Sequence, residues 1–227
     1  GVPSERNAHP HCVAGVSLVH NGIIENYHSI KNEMVARGVQ LTSDTDSELV
    51  AHLISDEVLK TKDLYLAVQK VIPKLQGAFA IVAVWQGQPD RMVAFKNGPP
   101  LVLGVGKDQI VLASDVQAVI NYTKDVVYLD DAEIAVVDRA KYEIFSDLGK
   151  ILNKPIHHLN WNTEQNEKSG YAHYMLKEIH EQPRAVAAAI APHVDLEKDE
   201  VHLSGVGFGV AFDDLAGLHG GSEKLKD

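Results

Sequence analysis

The dipeptide Asn21-Gly22 follows a short apolar run at 13–20 and is the first candidate for chemistry. A side-chain amide and an adjacent backbone N–H can converge on one oxygen atom, as an oxyanion hole for acyl transfer requires. Asn-Gly is also among the strongest signals for a tight turn. Taken alone, the pair therefore favours a turn that ends a predicted strand.

Asp46 is the second candidate, because it lies at the N-terminus of a predicted helix, close to Asp44 and Glu48. A carboxylate there could bind a substrate ammonium group. It could equally compensate the helix dipole and the free N–H groups of the first turn. On this residue alone the structural role is favoured.

His9, His11 and Cys12 form the third group. Two histidines two positions apart could ligate a metal, but no Cys, Asp or third His stands at matching spacing, so the sequence predicts no metal site. Cys12 is the only cysteine and could act as a thiolate nucleophile, although a single cysteine beside a strand is more often a small hydrophobic residue. The glycine-rich run at 204–210 matches no phosphate-binding pattern.

The elements that must position these residues follow from apolar periodicity and turn signals. Helices are predicted from Asn26 to Gly38, after Thr45 and from Leu64 to about residue 75, and Thr45 and Glu48 have the spacing of a capping box. Short strands are then predicted in succession at 77–85, 92–95, 101–105, 110–113, 126–129, 133–137 and 142–145. Successive strands favour antiparallel sheets, and hence an α+β fold with helices layered outside.

The remainder of the chain reads differently. Residues 147–170 are polar and typical of a linker, and residues 171–190 return to a helical pattern that we expect to break at Pro183. Three parts are predicted: a domain at 1–165, a linker and helix at 166–190, and a tail at 191–227.

Charge and composition exclude several classes of partner. The net charge of -10 disfavours nucleic acid and anionic membrane surfaces, and no apolar run approaches the length of a membrane span. The single cysteine excludes an internal disulfide and fits a reducing, cytoplasmic setting. The chain begins with Gly1 and a polar segment without a signal-peptide pattern, which suggests an internal or processed start.

Together, the segments PSERNAHPH (3–11), VHNGIIENY (19–27) and SDTDSE (43–48) are far more specific than any one of them. They resemble class II glutamine amidotransferases, the N-terminal-nucleophile type. HYMLKEIHEQP (173–183) resembles the junction between the glutaminase and sugar-isomerase domains of the glucosamine-6-phosphate synthase family. The resemblance covers residues 1 to about 186.

This resemblance implies an αββα sandwich of antiparallel sheets, incomplete at its N-terminus. It implies glutamine hydrolysis by an N-terminal cysteine, without a cofactor, and use of the ammonia to convert fructose 6-phosphate to glucosamine 6-phosphate. Asn21 and Gly22 would form the oxyanion hole, Asp46 would hold the α-ammonium group of glutamine, and His9 would lie close to the glutamine pocket.

The chain departs from the family at both ends. Neither Gly1 nor Cys12 matches the nucleophilic cysteine, so we expect these 227 residues alone not to hydrolyse glutamine. The tail at 191–227 is either the start of the isomerase region or a divergent sequence, and it lacks the Cys-Gly-Thr-Ser pattern of the isomerase. Fructose 6-phosphate would therefore be a partner only through an absent domain. The resemblance also implies a homo-oligomer at full length. Another class II amidotransferase and a non-catalytic glutamine-binding module remain alternatives.

Overall fold

The computed structural model of this chain describes residues 2–139, 141–160, 170–195 and 200–201. The chain divides into two units, Gly1–Asn166 and Glu167–Asp227. Within the described residues, the first unit holds three α-helices and eleven strands, and the second holds one α-helix and a short hairpin.

The strands of the first unit form two antiparallel sheets. They are β1 (His11–Val13), β2 (Val16–Ile24), β3 (Gly77–Trp85), β4 (Gln88–Asn97), β5 (Val102–Val105), β6 (Ile110–Ala113), β7 (Asp125–Tyr128), β8 (Glu133–Asp138), β9 (Lys141–Ser146), β10 (Ile151–Leu152) and β11 (His157–His158). The seven-stranded sheet has the order β1-β2-β3-β4-β8-β9-β10, and the four-stranded sheet has the order β11-β7-β5-β6.

Three helices cover one face of the seven-stranded sheet: α1 (Tyr27–Ala36), α2 (Asp46–Thr61) and α3 (Leu64–Val71). Their apolar stripes pack on the inward side chains of β2 to β4, and this cluster includes Leu18, Ile24, Leu49, Val50 and Ile54. A second cluster joins the two sheets, and a third covers the outer side of the four-stranded sheet around Val119. The predicted α+β class is therefore confirmed.

Two local predictions about the first unit are wrong. No turn follows the apolar run at 13–20, because Asn21 and Gly22 lie inside β2, which continues to Ile24; the turn lies near the start of the run, at Ala14-Gly15. Pairing of β2 with β3 along its whole length extends the strand through a dipeptide that would turn in isolation. The polar stretch after residue 146 also contributes strands, because β10 pairs with β9 and β11 pairs with β7.

In the second unit, α4 (Tyr174–Ile190) runs through Pro183 without a break, contrary to the prediction. The alanine-rich residues that follow the proline have high helix propensity and continue the helix. β12 (Val194–Asp195) pairs with β13 (Glu200–Val201). The glycine-rich run at 204–210 lies outside the described residues. Among the residues that are described, no helix is both long and apolar enough to span a membrane.

Candidate functional site

Asn21 and Gly22 lie at the open end of β2. They pair with Ala80 and Phe79 of β3 on one side. On the other side, β1 pairs with β2 only as far as Leu18, so in the described part of the chain no strand covers this edge. Both residues are exposed, and Asn21 borders a cavity of about 220 Å³ between the two sheets. An amide and a backbone N–H are therefore presented together at an accessible strand edge.

The backbone of Gly22 explains why glycine stands there. Its φ is +126°, in a region that L-residues rarely adopt. A Cβ at this position would lie 2.1 Å from the carbonyl oxygen of Ala78 and 2.7 Å from the Cα of Phe79. The close approach of β2 and β3 therefore leaves no room for a side chain beside Asn21.

Asp46, the first residue of α2, is joined to the same strand. Its Oδ2 accepts a hydrogen bond from the backbone N–H of Ile24 at 2.8 Å. Its Oδ1 lies 3.7 Å from Nδ1 of His20, and 23% of the side chain is exposed. This contact places the N-terminus of α2 beside the end of β2, so that a carboxylate and the Asn21-Gly22 pair share one region.

His9 reaches this region through a serine that the sequence reasoning missed. Its Nε2 lies 3.2 Å from Oγ of Ser47, and Nδ1 of His20 lies 2.9 Å from the same Oγ. His9 is exposed, whereas Ser47 and His20 are buried. The signal for His20 was its inward position in the alternation of an apolar strand, between Leu18 and Ile24.

The environment of His20 keeps its ring neutral. Only 2% of its side chain is exposed, and its Nε2 has no hydrogen-bond partner among the residues that the structure describes. Burial has the largest effect and lowers the pKa of His20. The charge of Asp46 raises this pKa, whereas His9 and His11 lower it, and the net result is a lowered pKa. The ring is therefore an uncharged hydrogen-bonding group at neutral pH.

Glu48 anchors the loop that precedes α2, and the predicted capping box does not form. Its carboxylate accepts four hydrogen bonds of 2.7 Å from the backbone N–H and hydroxyl groups of Thr42 and Ser43. Burial opposes ionisation of Glu48, but these hydrogen bonds outweigh it and lower the pKa. Thr45 instead contacts Nε2 of His11 at 3.0 Å, because the loop folds back towards Glu48.

The N-terminal segment holds the outer side of this loop. Arg6 forms an ion pair with Asp44, and Oδ1 of Asn7 accepts a hydrogen bond from the backbone N–H of Asp44 at 2.9 Å. These contacts, with that of His11, fix the segment that carries His9 against the start of α2. The structure thus brings all four predicted site residues, His9, Asn21, Gly22 and Asp46, into one region.

Cys12 lies apart from that region. It is exposed in β1, opposite Ser17 of β2, and its Sγ lies 3.0 Å from Oγ of Ser17. Four residues of strand separate Ser17 from Asn21, which corresponds to roughly 13 Å. The backbone nitrogen of Cys12 is part of a peptide bond inside a hairpin.

The histidines near the site show no metal arrangement. The rings of His9 and His11 meet edge to face, with centroids 5.4 Å apart. Across the described ranges, no group of three or more His, Cys, Asp or Glu residues could hold a metal ion.

Comparison with known proteins identifies the family of this chain. Residues 3–121 match the glutamine amidotransferase domain family. The chain is 44% identical over 193 residues to the glutamine–fructose-6-phosphate aminotransferase (isomerizing) of Thermococcus kodakarensis, covering 84% of this chain and 32% of that protein. It is 42% identical over 196 residues to the enzyme of the same name from Thermotoga maritima, covering 86% of this chain and 32% of that protein.

The chain thus spans about a third of the length of the curated relatives that it matches. Among solved structures, glutamine phosphoribosylpyrophosphate amidotransferase from B. subtilis aligns with a TM-score of 0.50 and 22% identity, covering 70% of this chain and 33% of that one. This likeness confirms the predicted N-terminal-nucleophile type of fold, with its antiparallel sheets and flanking helices.

Proposed function

The chain belongs to the glutamine amidotransferase family, and from this premise we propose that its first unit binds glutamine and stabilises the oxyanion formed when the side-chain amide is cleaved. The observation that carries the proposal is the exposed Asn21-Gly22 pair at the open end of β2, joined to Asp46 through Ile24. Asn21 and Gly22 supply two donors, and Asp46 supplies a negative charge at a helix start.

In this mechanism the side-chain amide of Asn21 and the N–H of Gly22 donate to the oxygen of the tetrahedral intermediate. Such donors act because they are held in place before the negative charge develops. Asp46 binds the α-ammonium group of glutamine, and His9 supports the pocket. One water molecule is consumed, and the products are glutamate and ammonia.

The nucleophile of this reaction is proposed to be a cysteine other than Cys12. Cys12 has no free α-amino group to act as its base, and it lies about four strand residues from Asn21. An oxyanion hole alone has no covalent step to accelerate. We therefore expect residues 1–227 alone to release no glutamate, and the protein at its natural length to do so.

The names of the relatives suggest the fate of the ammonia. The proteins from Thermococcus kodakarensis and Thermotoga maritima are named as isomerizing aminotransferases of fructose 6-phosphate. We propose that the protein containing this chain likewise forms glucosamine 6-phosphate, in the cytoplasm and as a homo-oligomer. The acceptor sugar would bind outside the region described above.

The decisive test is Asn21→Ala in the protein at its natural length. Loss of one oxyanion donor should lower kcat for glutamate release by about 10²–10³ and change KM for glutamine much less. Asn121→Ala, in the exposed turn between β6 and β7, is the matched control and should leave kcat unchanged. A kcat of Asn21→Ala within about threefold of the parent would contradict the assignment.

Two further outcomes separate the alternatives. If residues 1–227 alone release glutamate, the nucleophile lies within them, and Cys12→Ala should then abolish the activity. If the natural-length protein binds glutamine without releasing glutamate, it is a binding module. Release of ammonia without formation of glucosamine 6-phosphate would indicate another class II amidotransferase.

A further inference from the structure

The buried pair His20 and Ser47 connects two residues of the proposed glutamine site. Ser47 Oγ lies between Nδ1 of His20 and Nε2 of His9, at 2.9 and 3.2 Å. Asp46 lies beside the same Nδ1, with its Oδ1 at 3.7 Å. The four side chains therefore form one continuous polar chain from β2 to the exposed His9.

The position of the proton on His20 follows from its neighbours. A proton on Nε2 would bury an N–H without an acceptor, because no described residue is a hydrogen-bond partner of Nε2. It would also turn the lone pair of Nδ1 towards the carboxylate oxygen of Asp46. A proton on Nδ1 instead faces both Ser47 Oγ and that carboxylate, so both electrostatics and hydrogen bonding favour the Nδ1–H form.

This assignment sets the direction of the remaining hydrogen bond. A hydroxyl group has one proton to donate, and Oγ of Ser47 accepts from His20. Its own proton is then free for Nε2 of His9, the other ring nitrogen within reach. His9 is consequently the acceptor of this bond, so its Nε2 carries no proton.

We infer that His20 and Ser47 are positioning residues, which form a directed relay from His20 Nδ1–H to Ser47 O–H to His9 Nε2 and thereby orient His9 and Asp46 for glutamine. This inference rests on the proposed function for its ligand, although the proton positions do not depend on it. Neither residue touches the substrate. His20 holds the relay in place because it is buried and its ring stays uncharged.

The proton positions can be read directly by NMR of the natural-length protein labelled with ¹⁵N-histidine. Signals are assigned with the variants His9→Asn and His20→Asn. We expect His20 to show a protonated Nδ1 and a bare Nε2, and His9 to show a bare Nε2. A proton on Nε2 of either ring at neutral pH would overturn the relay. In Ser47→Ala, we expect the proton of His9 to be shared between Nδ1 and Nε2, because the hydroxyl group that bonds to Nε2 is removed.

The functional consequence is tested by glutaminase kinetics. Ser47→Ala should raise KM for glutamine about tenfold, the effect of one lost hydrogen bond, with a smaller change in kcat. Ser47→Thr keeps the hydroxyl and should restore KM. Ser55→Ala removes a serine of similar burial, two turns further along α2, and should leave KM unchanged.

The two proposals fail in different ways. If Asn21→Ala leaves glutamate release unaffected, the proposed function fails while the NMR result still stands or falls by itself. If Asn21→Ala behaves as expected and Ser47→Ala has the KM of the parent, the positioning role is wrong.

Discussion

Two of the polar clusters in the first unit differ in how completely their groups are partnered. The first is the site cluster of His9, His20, Asp46 and Ser47. The second is the Arg91 cluster, in which Arg91 of β4 forms a bidentate pair with Asp138 of β8 and a further bond to Asp63.

In the Arg91 cluster the charged and polar groups form hydrogen bonds with one another. Asp63 caps α3 through the N–H of Leu66 and also accepts from Gln88, whose own oxygen accepts from the N–H of Leu64. The cluster thus fastens α3 to the seven-stranded sheet. In the site cluster, by contrast, Nε2 of the buried His20 ring has no partner in the described part of the chain, and the exposed Asn21 lies next to it in β2.

Cavity volume alone would place the functional site at the Arg91 cluster. The cavity beside Arg91 and Asp138 measures about 570 Å³, whereas the one beside Asn21 measures about 220 Å³. The larger cavity is lined by Arg91 and Arg139, both already paired with carboxylates. Two features identify a site better than cavity volume does. They are polar groups without a full set of hydrogen bonds and a backbone conformation that favours glycine.

Gly22→Ala should have the largest effect on the region of the site cluster. The added Cβ would lie 2.1 Å from the carbonyl oxygen of Ala78, so β2 and β3 must separate at the site. We expect the free energy of unfolding to fall by about 3 kcal/mol, with loss of glutaminase activity. Urea unfolding monitored by circular dichroism measures the first effect.

The matched control is Gly38→Ala, because Gly38 also has a positive φ, of +82°, but its Cβ would meet open space. Only the backbone strain remains there, at about 1 kcal/mol. Equal losses in the two variants would show that the close approach of β2 and β3 is not the reason for glycine at position 22.

Arg91→Met tests the structural role of the Arg91 cluster. The substitution leaves Asp63 and Asp138 without their shared cation, and we expect a loss of about 2 kcal/mol in the free energy of unfolding. Both KM and kcat for glutamine should stay unchanged in the natural-length protein. Arg139→Met, which breaks an exposed pair with Asp90, should cost nothing measurable. A raised KM in Arg91→Met would mean that the two clusters are coupled.

The sequence predicts most of the fold because its strongest signals are local. Strands at 77–85 and 110–113 coincide with β3 and β6, since each is an uninterrupted apolar run. The failure at Asn21-Gly22 has a tertiary cause. The dipeptide favours a turn in isolation, but nine pairs of residues between β2 and β3 hold it extended.

The site was predictable only in part for the same reason. Individual residue types and a family resemblance indicated His9, Asn21, Gly22 and Asp46. The contact between His20 and Ser47 joins residues 27 positions apart, and no spacing rule links them. Glu48 had the spacing of a capping box, but its carboxylate bonds the folded-back loop at Thr42 and Ser43 instead. Such contacts exist only once β2, α2 and this loop have assembled.

The smallest expected effect is the pH dependence of stability, which should separate the two clusters. The pKa of His20 lies below its ordinary value of 6.5 in the folded protein, mainly because of burial, and that of His11 is lowered for the same reason. The unfolded chain therefore binds more protons, so stability is complete above pH 6.5 and declines as the pH falls below it. In the Arg91 cluster, the guanidinium lowers the pKa of Asp138 below 3.8, so its contribution is lost only in more acidic solution.

Unfolding free energies measured between pH 7.5 and about 4.5 should thus report mainly on the histidines. Arg91→Met should lower the whole curve and keep its slope. His20→Asn should flatten the decline, and the part that remains is expected from His11, which lies near His9, Asp46 and Glu48. If unfolding free energy depends on pH as steeply in His20→Asn as in the parent, the acid sensitivity does not come from His20. The proposed difference between a neutral buried histidine and a fully paired ion cluster would then be wrong.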